Sequence, residues 1–120
     1  MNSPRRGEIW RADLNPTRGQ EINKKRPVVV LSSDDVGVLS IKLVAPITGR
    51  PASRSVHPWL VEVKPTAANG LKKDGCIDVL QLRGIAFERF ATRIGVLSAD
   101  DMDDVVAAVA LVIDFDTERR

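Results

Sequence analysis

Arg26 and Thr48 are the residues of this chain whose types and settings point most directly to chemistry. Arg26 opens the apolar run Arg26-Pro27-Val28-Val29-Val30, and Thr48 closes another in Ile47-Thr48-Gly49-Arg50. A proline pushes the residue before it into extended backbone, and a glycine after Thr48 lets the chain turn sharply. If the two strands pair, a guanidinium and a hydroxyl can face one bound phosphate. The guanidinium stays protonated at neutral pH and offers paired donors that match phosphate oxygens, while the hydroxyl both donates and accepts. Such a pair suits binding or cutting nucleic acid. Standing alone, an Arg-Pro is most often a surface arginine opening a strand, and a strand-end threonine merely satisfies a turn. Their combination, with the motifs around them, carries the functional reading.

Few other side chains compete for a catalytic role. His57, beside Pro58 on an expected edge strand, reads as structural or exposed, and a two-histidine mechanism would need two subunits sharing one site. With one cysteine, Cys76, there is no internal disulfide, and one histidine beside it leaves no zinc-type ligand set within a single chain. The pairs Asp34-Asp35, Asp100-Asp101 and Asp103-Asp104 fall in a turn and at a helix start, where caps and solvent account for them. Neither a metal nor another cofactor is expected.

The 120 residues, 43% hydrophobic and 28% charged, fit one domain spanning 1–120 with one core. No apolar run approaches the roughly 20 residues that span a bilayer. The N-terminus Met1-Asn2-Ser3-Pro4-Arg5-Arg6 is basic but has no apolar segment behind it, so it does not read as a secretory signal, and a cytoplasmic protein is expected. The net charge of +2 conceals an asymmetry: residues 1–54 carry +5 and residues 55–120 carry −3. A basic first half implies an anionic partner on one surface.

Positioning Arg26 and Thr48 falls to short strands. Glu8 to Leu14 alternates, with Trp10, Ala12 and Leu14 facing inward. Asn15 to Lys25 has no apolar period and reads as a long, mobile, basic loop. Residues 26–32 form a second strand whose continuous apolar run implies burial on both faces, followed by a turn at Ser33, Asp34, Asp35 and Gly37. Ser40 to Thr48 is a third strand, with Ile41, Leu43, Ala45 and Ile47 inward and Lys42 and Thr48 on the other face. A basic link with Arg50, Pro51 and Arg54 leads to a fourth strand at 56–63, an edge strand by its Pro58. A fifth is expected over Gly75–Arg83, a helical turn near Ile85–Phe90 and a sixth strand over Thr92–Leu97. Trp10 reads as core and Trp59 as core or interface. Ser98 caps a terminal helix with Asp101 at its third position. Its apolar positions Met102, Val105, Val106, Val109, Val112 and Ile113 repeat at three and four, leaving Asp103, Asp104 and Asp114 to solvent. The architecture is mainly β within α+β: a small, bent antiparallel SH3-like barrel closed by a C-terminal amphipathic helix.

With these motifs placed, the chain resembles the MazF/PemK family of toxin endoribonucleases from type II toxin–antitoxin systems, over nearly its whole length. The resemblance runs through Arg6-Gly7-Glu8-Ile9-Trp10, Ala12-Asp13-Leu14-Asn15-Pro16, Gly19-Gln20-Glu21, Arg26-Pro27-Val28-Val29-Val30, Ile47-Thr48-Gly49-Arg50, Gly70-Leu71-Lys72-Lys73-Asp74-Gly75, Gln81-Leu82-Arg83 and Leu97-Ser98. It implies a PemK/CcdB-type barrel that forms a homodimer, a groove for single-stranded RNA across the dimer, and a MazE-like antitoxin covering that groove. It also implies sequence-specific, metal-independent cleavage of messenger RNA, giving 2′,3′-cyclic phosphate and 5′-hydroxyl ends, with Arg26 and Thr48 as the catalytic pair and growth inhibition as the outcome.

Elementary chemistry fits that expectation. If the RNA's own 2′-hydroxyl attacks, the protein must position it, stabilise charge on phosphorus and assist the leaving oxygen. A protonated guanidinium is a poor general base, which assigns Arg26 to transition-state stabilisation and Thr48 to hydrogen bonding with the phosphate. Further RNA contacts are expected from Arg18, Glu21, Lys24, Lys25, Arg50, Gln81 and Arg83; the cations would bind phosphates and Gln81 could read a base edge. Family members often carry acidic residues where this chain has Leu80 and Ala86, which alters the polar surroundings of Arg83; Asp78 is the nearest candidate to compensate. The alternatives are a CcdB-like toxin that binds gyrase on the same barrel without cleaving, or an inactive family member that binds RNA or antitoxin. The ending Asp116-Thr117-Glu118-Arg119-Arg120 lacks the aromatic tail a gyrase poison would use.

Overall fold

Val28, Val29 and Val30 are all fully buried, and the cause organises the molecule: their strand has apolar packing on both faces. The computed structural model describes residues 3–36, 40–49 and 57–116. Among them are seven strands, β1 (Glu8–Asp13), β2 (Lys25–Val30), β3 (Ile41–Gly49), β4 (Leu60–Val63), β5 (Gly75–Asp78), β6 (Arg83–Ala86) and β7 (Phe90–Val96), then the helix α1 (Ala99–Val112). Every strand pairing is antiparallel. The order is β4-β5-β3-β2-β1-β7, with β6 also pairing with β3. The long strand β3 passes from one sheet to the other, joining β2 and β6 at its start and β5 at its end. This is the mainly β barrel with a terminal helix that the sequence predicts.

Two apolar clusters fill it where one core is expected. Ile9, Val29, Ala45, Ile47, Val61, Val63 and Ile77 form the first, covered by Met102, Val105 and Ala108 of α1. Trp10, Ala12, Leu14, Val28, Val30, Val44, Ile85 and Phe90 form the second, with the Trp10 and Phe90 rings edge to face at 5.8 Å. The inward set Trp10, Ala12 and Leu14 is as expected, but fully buried Ile9 points the opposite way into the first cluster. A strand between two cores has no solvent face in its middle.

β3 corrects the expected parity at its start. Ile41 and Leu43 are 47% and 39% exposed while Lys42 is buried. Here β3 pairs with β6, Lys42 opposite Ile85 and Val44 opposite Arg83, so the even positions turn toward the second cluster. The Lys42 stem is covered, and its ammonium lies 6.0 Å from the centre of the Phe87 ring. Only from Ala45 do odd positions enter the first cluster. The expected fifth strand also breaks: it stops at Asp78, whose carboxylate accepts from Leu80 N at 3.1 Å and caps a 3-10 turn over Val79–Gln81. Burial pushes the Asp78 carboxyl above the usual aspartate range, against the hydrogen bonds it accepts. The expected turn near Ile85 begins two residues later, at Phe87–Arg89, after β6. β4 does lie at the edge, with Pro58 just before it. Ser98 Oγ accepts from Asp101 N at 3.1 Å, the cap the sequence predicts. Val106 and Ile113, expected on the apolar face of α1, are 48% and 65% exposed. Trp59 packs against the first cluster and stacks on His57 at 4.5 Å.

Glu8 ties the edges together. Its carboxylate accepts from Arg5 N at 2.8 Å, from the Trp10 indole at 3.1 Å and from Arg93 Nε at 2.8 Å. Partial burial opposes its ionisation, but these donors outweigh burial and hold the carboxyl below its ordinary value of 4.5. A carboxyl depressed by folding stabilises the fold above its unfolded pKa and loses that contribution as pH falls through the folded value. Glu8→Gln should therefore be less stable than the parent at neutral pH, with the difference shrinking below about 4.5. Thermal melts from pH 7 to pH 3 would measure it, and a difference independent of pH would show that the charge is not what matters.

Candidate active site

The antiparallel register pairs Val28 with Pro46, Val29 with Ala45 and Val30 with Val44. Carried two residues beyond the last pair, the same register sets Arg26 across from Thr48. Pro27 and Pro46 each remove a donor from the ladder at this end, so the strands stop pairing where the two residues of interest stand. Thr48 is held from its other side by β5, opposite Cys76.

Arg26 and Thr48 line one cavity of about 550 Å³, together with Lys25, Arg11, Lys72 and Lys73. Five cationic residues stand against one carboxylate, that of Asp74, so the cleft favours an anion and draws a polyanion toward it. Arg26 is half-buried, and its Nε donates to Asn23 O at 3.2 Å. That bond orients the guanidinium and leaves its two terminal nitrogens for a ligand. Thr48 is likewise half-buried, and its hydroxyl donates to Gly49 O at 3.2 Å, a contact with its own neighbour that a phosphate oxygen can replace. The arrangement suits a phosphodiester: cations for its charge and a hydroxyl at one side.

The residues named from the sequence divide between two places. Lys25 joins Arg26 and Thr48, whereas Glu21, Gln81 and Arg83 line a second cavity of about 340 Å³ with Leu14, Ile22 and Leu80. Gln81 and Arg83 do not share a strand as expected, because the 3-10 turn separates them from β5. Glu21 is turned inward on its own loop, its carboxylate accepting from Arg18 N at 2.5 Å. Arg18 and Lys24 line neither cavity. Lys24 takes a left-handed backbone, φ 68°, and donates its N–H to the Asn15 side chain. Arg50 and Arg54 lie outside the described residues.

The loop before Arg26, expected to be mobile, is held at both ends. Leu14 N donates to Lys24 O at 3.0 Å, closing its base. Arg83 Nη1 donates to Leu14 O at 3.0 Å, and Arg89 Nη1 donates to Asp13 O at 3.1 Å and to Asn15 O. Ile22 packs against the second apolar cluster.

Sequence reasoning missed Arg11, Lys72 and Lys73 as cavity residues. Two adjacent lysines between Gly70 and Gly75 were the available signal for the second and third. Arg11 gave none, because only its pairing with Pro27 sets it beside Arg26.

Residues 5–113 match the model of the PemK-like, MazF-like toxins of type II toxin–antitoxin systems. The chain is 38% identical over 116 residues to endoribonuclease MazF9 of Mycobacterium tuberculosis, covering 92% of this chain and 96% of that protein. Its fold matches the crystal structure of MazF from Deinococcus radiodurans with a TM-score of 0.79 at 22% identity, covering 95% of this chain and 99% of that one. A MazE–MazF structure from the same organism matches with a TM-score of 0.74 at 19% identity, covering 97% and 100%. This chain belongs to the PemK-like, MazF-like toxins of type II toxin–antitoxin systems.

Proposed function

We propose that this toxin is an endoribonuclease that cuts single-stranded RNA at the Arg26–Thr48 cavity, the RNA's 2′-hydroxyl serving as nucleophile. The observation that carries the reading is that Arg26 and Thr48 line one cleft walled by lysines and arginines. As the 2′-oxygen attacks phosphorus, negative charge builds on the non-bridging oxygens. Arg26 donates to them from the terminal nitrogens that Asn23 leaves free, and Thr48 donates to the same phosphate. As the bond from the 2′-oxygen to phosphorus forms, the bond from phosphorus to the 5′-oxygen breaks; the 2′-hydroxyl gives up its proton to solvent and the 5′-oxygen takes one up from solvent, so the products carry a 2′,3′-cyclic phosphate and a 5′-hydroxyl. Lys25, Lys72, Lys73 and Arg11 hold the flanking phosphates, which makes binding salt-dependent.

The toxin acts as a homodimer in the cytoplasm, and its antitoxin silences it by covering the groove. The relatives named as endoribonucleases and the MazE–MazF structure support this reading; among the described residues no helix is long and apolar enough to cross a membrane. The gyrase-binding alternative is not favoured, since the family matched is that of the PemK-like and MazF-like toxins.

The test is cleavage of a long mixed-sequence RNA by purified protein in excess chelator, with the new ends chemically identified. Discrete cuts ending in cyclic phosphate are expected. Intact RNA from folded protein would refute nuclease activity, and 3′-hydroxyl ends would refute attack by the 2′-oxygen.

A further inference from the structure

We propose that Gln81 is a positioning residue for Arg26, acting through the main chain of the loop between β1 and β2. Its side-chain oxygen accepts from Ile22 N at 2.6 Å and its side-chain nitrogen donates to Gln20 O at 3.0 Å. Both polar ends of one amide are thereby committed to main-chain atoms on either side of Glu21, about sixty residues away in sequence. One residue beyond Ile22, the carbonyl of Asn23 accepts from Arg26 Nε at 3.2 Å. The path is short and continuous: Gln81 fixes residues 20 and 22, residue 23 fixes the guanidinium, and the guanidinium meets the phosphate.

Gln81 itself lines the second cavity, not the one that holds Arg26. Its contribution to cleavage therefore travels through the loop. Without the clamp, the segment before Arg26 keeps its base closed by Leu14 and Lys24 and keeps the apolar packing of Ile22, but the main chain at residues 20 and 22 loses its hydrogen-bonded anchor. The Asn23 carbonyl then samples more positions, and so does Arg26. Misplacement by about 1 Å is enough to cost on the order of 10²-fold in rate. The inference rests on the assignment of Arg26 to the reacting phosphate.

Gln81→Met keeps the length of the side chain and removes both hydrogen bonds. The expected results are a fall in kcat of about ten- to a hundredfold with little change in KM, and faster hydrogen exchange at the Ile22 amide without RNA present. In an Arg26→Ala background the same substitution should cause no further loss, because the clamp then has nothing to position. Gln81→Glu supplies a separate readout. Its ionised carboxylate accepts from Ile22 N but cannot donate to Gln20 O, whereas the protonated form restores both bonds. Activity relative to the parent should therefore recover as pH falls.

A raised KM at unchanged kcat, a changed cleavage sequence, or full additivity with Arg26→Ala would show that Gln81 contacts RNA directly and would overturn the proposal. Unaltered exchange at Ile22 in Gln81→Met would overturn the clamp alone. Parental cleavage by Arg26→Ala would instead overturn the assignment of Arg26.

Discussion

Arg26→Ala should slow RNA cleavage by about 10²–10³-fold, the usual cost of losing one donor aimed at developing charge. The fold should survive, because the Arg26 side chain belongs to neither apolar cluster and β2 is held through its backbone and through Val28, Val29 and Val30. Thr48→Ala should fall in the same range for the same reason, and Thr48→Ser, which keeps the hydroxyl, should retain most of the activity. Arg26→Lys should rescue only part of the loss, since an ammonium keeps the charge but not the forked donors. Single-turnover cleavage rates beside thermal melts separate the outcomes. Lost activity with an unchanged melt supports catalysis, and a collapsed melt would mean that Arg26 holds the barrel together.

A large loss of stability should come from Gly70→Ala. Gly70 has φ +68°, and a Cβ there would lie 2.3 Å from the main-chain oxygen of Ile94. Backbone strain of roughly 1–3 kcal/mol would add to a clash that only movement of β7 could relieve. The loop has little freedom to move away. The buried amide of Asn69 accepts from Thr66 N and Leu71 N and donates to Lys64 O, at 2.9, 3.0 and 2.8 Å. A total loss of about 3 kcal/mol or more is expected from strain and overpacking together. Gly70 also borders the Arg26 cavity, so cleavage should decline at temperatures where the parent is still folded. Gly49→Ala is the control: no atom of the described residues lies within 4 Å of its would-be Cβ, and stability should hold. Equal denaturant midpoints for the Gly70 variant and the parent would disprove the close approach.

That Arg26 and Thr48 line one cleft was legible in the sequence because strand ends announce themselves locally: Pro27 fixes the backbone of Arg26, and Thr48 stands beside the glycine that closes β3. Ser98 and Asp101 marked the helix start for a similar reason, since a cap is written within four residues. Lys42 was misread because its burial depends on β6, more than forty residues later, and periodicity cannot tell which of two cores a strand faces. The break at Asp78 was equally hidden, because a capping carboxylate and a strand residue look alike in sequence. Gln81 and Arg83 were identified as polar residues of interest, yet their partners are main-chain atoms of residues 14–22, which no side-chain pattern reveals.

Those partners have an evolutionary consequence. The clamps that reach the loop from Gln81, Arg83 and Arg89 end on carbonyls and amides of Asp13, Leu14, Asn15, Gln20 and Ile22. Carbonyls belong to every amino acid, and amides to all but proline. The outward side chains of the loop, Arg18 and Gln20 among them, can therefore be exchanged while its path is kept. A loop held this way can change the side chains it presents while its path, and with it the Asn23 carbonyl that orients Arg26, stays in place.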